Sequence, residues 1–296
     1  MGVYVKLVAS VILWGGTWVS GRYLASRFSP FPVAFLRFAL ASGFLFFLAC
    51  RAEGRLPRLT RQNALPLVLL GLTGIFIYNA FFFSGLKTTP AGRAALIVAA
   101  IPSMVSLYSG IFLKEPFPPL KILGVLLSFA GVAVIVSGGD PGAILRQGFS
   151  RGDLYIFGCV VSWTAYTIIG KSVMGKVSAL SAVAWSCILG DLFLLVPALS
   201  TGLAAQTAAS NLLDWANLVF LGVFATGYAF TWYYQGVKAI GPARAGVFIN
   251  IVPVAAVILA YFILGEPMSL SMLAGGAMVL SGVWLTNRKP GAPKAG

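Results

Sequence analysis

Eight residues of this chain recur, in order, at one fixed distance. Gly85, Lys87, Arg93, Pro102, Glu115, Pro116, Gly124 and Gly131 return as Gly236, Lys238, Arg244, Pro253, Glu266, Pro267, Gly275 and Gly282, each 151 positions later and without a gap. A constant offset across about 47 residues marks a duplicated unit, and it constrains the fold before any local propensity does. What one copy builds, the other has to build as well.

The copies sit in apolar sequence. Of 296 residues, 59% are hydrophobic and only 9% charged, where a soluble domain has about a quarter charged; the chain is therefore read as a membrane protein. Its net charge of +14 does not point to nucleic acid, because Lys and Arg fall in short gaps between apolar runs rather than along one stripe. Cys50, Cys159 and Cys187 lie in or at the end of apolar runs, an odd set that makes no disulfide framework. With no histidine, His-containing zinc sites and His-based acid–base catalysis are excluded, and no cofactor or metal is expected.

About twenty apolar residues cross a bilayer as a helix. On that measure there are ten spans, roughly 4–23, 31–50, 64–86, 91–113 and 119–137, then 153–172, 179–199, 213–236, 242–264 and 268–287. The first, from Lys6 to Leu24, has the outline of a signal peptide, but Trp14 is matched by Trp163 at an offset of 149, so it is expected to be retained as a helix. The expected organisation is a five-helix repeat over 1–138, a Gly, Asp and Pro-rich linker over 139–152, a second repeat over 153–287 and a tail over 288–296. An odd number of spans per unit turns the second upside down relative to the first, giving an all-α membrane protein of two inverted five-helix repeats. With the N-terminus inside, fourteen Lys and Arg fall on the cytoplasmic side and six outside, Arg37 remaining within a span. That bias predicts both termini in the cytoplasm.

Pro102 and Pro253 fall near the middle of the fourth and ninth spans. Proline there predicts kinks, and interruptions at matching places in two halves point to a transporter's centre. Both are candidate hinges. Polar and aromatic side chains gather in five spans: Trp14, Thr17 and Trp18; Tyr78 and Asn79; Trp163, Thr164 and Tyr166; Tyr228, Trp232, Tyr233, Tyr234 and Gln235; and Asn250. Tips of this kind need partners or water inside a membrane, so Trp14, Thr17, Tyr78, Asn79, Trp163, Tyr166, Tyr228 and Asn250 are the candidate substrate contacts. Tyr4, Tyr23, Tyr108, Tyr155 and Trp284, nearer span ends, are assigned to interfacial belts.

Asp191 is the one acidic residue deep in a span. It is either a coupling carboxylate or a structural partner for a hydroxyl or for Arg37, and the absence of a neighbouring acid or histidine favours the structural role. Glu115 and Glu266, each followed by proline, are expected to cap a helix or pair with a loop base. Lys87, Lys238, Arg93 and Arg244 could hold a carboxylate but are expected to be snorkelling anchors. The Gly124 to Gly131 spacing, repeated as Gly275 to Gly282, predicts close helix packing or a dimer seam.

The Trp14-Gly15-Gly16 start, Leu36-Arg37-Phe38, the Pro102 kink, Leu113-Lys114-Glu115-Pro116, Leu264-Gly265-Glu266-Pro267 and the late glycines resemble the tandem units of the EamA family in the drug/metabolite transporter superfamily. The resemblance covers nearly all of 4–287, and Ser186 departs from it by standing near where a second Arg37 would fall. It implies a ten-helix secondary carrier, an exporter of amino acids or other metabolites working by alternating access, with multidrug or other metabolite transport as the alternative. The chain is also similar overall to aromatic amino-acid exporters of the YddG type. Such a carrier is expected in the bacterial inner membrane, as a monomer, with a small-molecule substrate and the lipid bilayer as its partners. An intramembrane aspartyl protease would need a second deep aspartate, and a pore would be expected to show charged rings or a carbonyl loop.

Overall fold

The computed structural model describes residues 2–54, 59–114, 117–140, 149–171, 173, 176–240, 245 and 248–287. The expectations for Arg55, Arg58, Glu115, Pro116, Arg146 and Arg244, most of the linker and the tail from 288 lie outside the described residues, as do the side chains of Arg61, Lys171, Tyr234 and Lys238.

The described residues are helical and follow the expected spans. The first unit comprises α1 (Val3–Arg27) and α2 (Pro30–Glu53), then α3 (Arg61–Leu70), a π-helical stretch π1 (Gly71–Ile77) and α4 (Tyr78–Leu86) as one span. Its fourth span divides into α5 (Ala91–Val98) and α6 (Ile101–Phe112), and its fifth is α7 (Pro119–Ser137). The second unit runs through α8 (Arg151–Lys171), α9 (Ala179–Ser200) and a short α10 (Leu203–Ala208). Its eighth span is α11 (Leu212–Val219), π2 (Phe220–Tyr228) and α12 (Ala229–Ile240), followed by α13 (Ile251–Leu264) and α14 (Leu270–Asn287). Among the described residues nine spans are long and apolar enough to cross a membrane, and α13 is a shorter apolar helix.

The ends of these helices follow local chemistry. Pro30 and Pro119 open α2 and α7, where a missing N–H costs nothing. At α11, Asn211 and Asp214 bond each other's backbone N–H reciprocally, both at 2.9 Å. Gly265 ends α13 in the left-handed region at φ 66°, and Lys114, 151 positions earlier, adopts φ 53° at the matching place. Large apolar side chains point both inward and outward: Phe82, Phe83, Leu86 and Leu194 are fully buried, while Phe262 and Val196 are 77% and 73% exposed. A helix bundle apolar on its outside as well as its inside fits hydrocarbon, not water. Tyr4, Tyr108, Tyr155 and Trp284 belong to this exposed exterior.

Contacts between the units come in reciprocal pairs. α1 lies against α13, π2 and α12, and α8 lies against α5, α6, π1 and α4; α2 meets π2, and α9 meets π1. Two elements pair with their own counterparts, α2 with α9 and α7 with α14. Such self-complementarity is that of a two-fold interface, and five spans per unit place the axis in the membrane plane.

The α7–α14 pairing settles the glycine spacing. A Cβ on Gly131 would stand 2.6 Å from the Gly275 carbonyl oxygen, and one on Gly124 2.7 Å from that of Gly282. The repeated glycines therefore pack on one another inside a single chain, and those faces are already used. Of the two expectations for them, close packing holds.

Candidate functional site

The two π-helical stretches stand at matching places, Gly71 opening the packing face of π1 and Gly222, 151 residues on, that of π2. A wider turn shifts the backbone ladder by one residue and leaves carbonyls to be met by side chains. Ser162 of α8 donates to the Thr73 carbonyl at 2.6 Å, Asn79 to that of Ile75 at 2.8 Å, and the Trp14 indole of α1 to that of Ala225 at 3.0 Å. Each π stretch thus receives a donor from the opposite unit. Glycine is needed at the close approaches: a Cβ on Gly71 would meet the backbone of α9 at Gly190 and Ser186, and one on Gly222 that of α2 at Arg37.

Beyond π1, four of the expected substrate residues come together. The Tyr78 ring lies 5.1 Å from that of Trp163 and 6.0 Å, nearly parallel, from that of Phe82; the Tyr166 ring lies tilted at 4.9 Å from that of Trp163. Asn79 is buried beside them. Its amide oxygen accepts from Arg37 Nη1 at 3.2 Å while its nitrogen holds the Ile75 carbonyl, so both ends of the amide are fixed. The Arg37 guanidinium itself stands 5.9 Å from the Phe82 ring centre and 4.9 Å from that of Phe38. Rings flanking a deep cation form a surface able to take a flat apolar body with an anionic end. The sequence reading left Arg37 out of the candidate site; its isolation as a span cation was the available signal.

The remaining candidates lie elsewhere. Trp14 joins a second ring group with Phe230 and Tyr233, both at 5.2 Å, and Thr17 bonds the Trp14 carbonyl. Tyr228 is partly exposed and packs with Phe44, Phe224 and Trp232. Asn250 immediately precedes α13 and makes no side-chain capping bond there. A groove of about 290 Å³ runs between α6 and α8, lined by Met104, Tyr108, Val161, Thr164, Ala165, Ile168 and Ile169, and none of the candidate substrate residues lines it.

Pro102 does not kink a continuous helix as expected. α5 ends at Val98 and α6 restarts at Ile101, which puts Pro102 in the first turn of a new helix; Pro253 is likewise the third residue of α13. First-turn N–H groups have no intrahelical acceptor, so proline loses nothing there. Asp191 forms no ion pair with Arg37 among the described residues, and its Oδ1 is buried without a hydrogen bond.

Polar ties join the two units on both faces. On the face of the N-terminus Lys6 donates to Gln235 at 2.6 Å, and Ser178 and Ser181 donate to Glu53 at 2.5 and 2.6 Å. A further set lies on the face that chain order gives to the linker. Arg27 of α1 grips Asp214 of the second unit at 2.6 and 3.0 Å, and the Tyr23 hydroxyl, expected in an interfacial belt, donates to the same carboxylate. Arg93 at α5 holds Asp153 of α8 at 3.0 and 2.5 Å and the Val136 carbonyl at 2.8 Å, more than a snorkelling anchor does. Glu266 caps α5, its two oxygens accepting from Ala91 N at 2.8 Å and Gly92 N at 3.0 Å. Carboxylates suit helix N-termini, where free N–H groups and the helix dipole both favour negative charge.

Comparison with known proteins agrees with this architecture. The uncharacterized transporter YyaM of Bacillus subtilis is 30% identical over 96% of this chain and 92% of its own length. A protein of Streptantibioticus cattleyicolor named "Probable terminal-alkyne amino-acid exporter" is 27% identical over 96% of this chain and 92% of its own. A solved crystal structure, 21% identical, superposes with a TM-score of 0.66 over 96% of this chain and 95% of that one, which shows a shared fold. The profile described as the EamA-like transporter family matches residues 1–137 and again 150–288. The chain belongs to the EamA-like transporter family, within the drug/metabolite transporter superfamily.

Proposed function

We propose that this transporter exports amino acids, aromatic and other large neutral ones, by alternating access between two inverted units, residues 1–138 and 153–287. The observation that carries the reading is the Tyr78, Phe82 and Trp163 ring group beside Asn79, contributed by both units and set directly after π1. Rings supply contact area for a large side chain, and the fixed Asn79 amide orients its polar end. The relative named as a probable amino-acid exporter supports the substrate class.

The linker-face ties of Arg27 to Asp214, Arg93 to Asp153 and Glu266 to α5 each join one unit to the other. Ties between the units stand on the other face as well, Glu53 with Ser178 and Ser181 among them, and the restarts before Pro102 and Pro253 give the fourth and ninth spans places to bend when one face opens. The carrier sits as a monomer in the bacterial inner membrane with both termini cytoplasmic. Reconstituted uptake of a panel of labelled amino acids, with and without a pH gradient, tests the function. Saturable flux of tryptophan, tyrosine or phenylalanine is expected, and a panel with no transported member overturns it.

A further inference from the structure

The described carboxylates leave Arg37 without a counterion. Asp153 and Asp214 are paired with Arg93 and Arg27, Glu53 accepts from Ser178 and Ser181, and Glu266 caps α5. Asp140 is exposed beyond the end of α7, and Asp191 is not paired with Arg37. A guanidinium in the middle of a membrane protein with no anion is costly and asks for a reason.

Its geometry suggests one. Nη1 is committed to Asn79, whereas Nε is buried with no acceptor, so the edge carrying Nε and Nη2 makes no hydrogen bond among the described residues. That edge is the one that receives a carboxylate through two parallel hydrogen bonds. The Phe38 and Phe82 ring centres lie 4.9 and 5.9 Å from the guanidinium, and Asn79, itself held by the Ile75 carbonyl, fixes Nη1. The arrangement exists once, because Ser186, at the corresponding place in the second unit, bonds its own helix at Ala182.

We propose that Arg37 is the anion site of this carrier: its open edge takes the carboxylate of a monoanionic substrate whose apolar body lies against the Tyr78, Phe82 and Trp163 rings. The inference rests on the carrier reading above and adds the group that the substrate must possess. A single positive charge matches a carboxylate better than a phosphate dianion, which would leave charge unbalanced in a low-dielectric site. Three other described arginines are engaged: Arg22 donates to the Leu86 carbonyl, and Arg27 and Arg93 are in ion pairs. The substrate class is therefore an aromatic or other large apolar monocarboxylate, amino acids included.

The test uses the purified full-length protein in detergent, with thermal stabilisation read against tryptophan, indole-3-acetate and tryptamine. Tryptophan and indole-3-acetate are expected to stabilise the wild type and tryptamine to fail. Arg37→Gln should weaken both carboxylates by roughly 10- to 100-fold, as loss of a charge-assisted hydrogen bond does, with partial recovery in Arg37→Lys. Stabilisation by tryptamine equal to that by tryptophan, an equal loss of all three probes in Arg37→Gln, or no stabilisation by either carboxylate would each overturn the proposal. If Arg37→Gln does not fold, the ranking of the three probes on the wild type and on Arg37→Lys decides. Arg37-dependent binding of indole-3-acetate without any of tryptophan leaves the anion site standing and removes the amino-acid reading. Tryptophan transport at wild-type rates in Arg37→Gln liposomes does the reverse.

Discussion

Glu266 accepts a hydrogen bond from the backbone nitrogen of Ala91 at 2.8 Å across 175 positions of sequence, so a loop of the second unit terminates a helix of the first. Replacing Glu266 by Ala leaves the first turn of α5 uncapped and should lower stability by about 1–2 kcal/mol. Glu266→Gln, which keeps the acceptor but not the charge, should fall between. A thermal unfolding series in detergent checks this, and an Ala variant as stable as wild type would show that the cap contributes nothing.

Gly131→Val tests the α7–α14 contact. The new side chain meets the Gly275 carbonyl oxygen and Val279 nitrogen, both backbone atoms that cannot rotate away. A loss of roughly 1–3 kcal/mol is expected, with poor recovery of folded protein from the membrane. Unchanged melting would mean that the helices separate at no cost.

Alanine at Pro102 or Pro253 restores an N–H that helix first turns leave free, so melting temperature should hardly move. Flux in liposomes should fall nonetheless, because the restored N–H lets the preceding helix run on through the restart and stiffens the place where the span bends. Wild-type rates in both variants would remove the bending role.

Tyr78→Ala and Trp163→Ala should each raise the KM for an aromatic amino acid about 10-fold, the loss expected of one buried aromatic contact. Tyr228→Ala serves as the control, since its ring packs with Phe44 and Trp232 at a partly exposed place. Equal effects at all three positions would indicate general destabilisation in place of a binding site.

For Asp191, the lack of any ion pair with Arg37 leaves a carboxylate with one unpartnered oxygen. Asp191→Asn is expected to leave the pH dependence of uptake unaltered. A shifted profile would make this residue part of a proton pathway.

Much of the fold was legible because hydropathy and a constant offset are both strong, long-range signals. Ten apolar runs gave the spans, and the matched Pro, Glu-Pro and glycine positions gave the repeat. The site was legible in part: Tyr78, Asn79, Trp163 and Tyr166 do lie together, for polar and aromatic tips on α4 and α8 share a face. Tyr228 lies apart from that group, against Phe44 and Trp232. One residue more per turn rotates everything after it by about 100° relative to a regular helix, and Tyr228 closes π2. Neither hydropathy nor spacing registers such a turn. The fate of Pro102 depended on where the helix restarts, and two alanines at 99 and 100 give no sign of a break. Arg37 was visible from the start, but its free edge follows from which nitrogen Asn79 occupies, and that is a property of three dimensions.

The contact of Gly124 and Gly131 with Gly282 and Gly275 is one of backbone on backbone. Side chains such as Ile135 and Met278 flank the seam, but the backbone atoms at its closest approaches have no rotamer to change. Sliding α7 along α14 would drive carbonyl oxygens into the next residue's Cβ, since only glycine tolerates this approach. In the proposed alternating-access cycle this seam is the stationary part, and motion is left to the spans away from it.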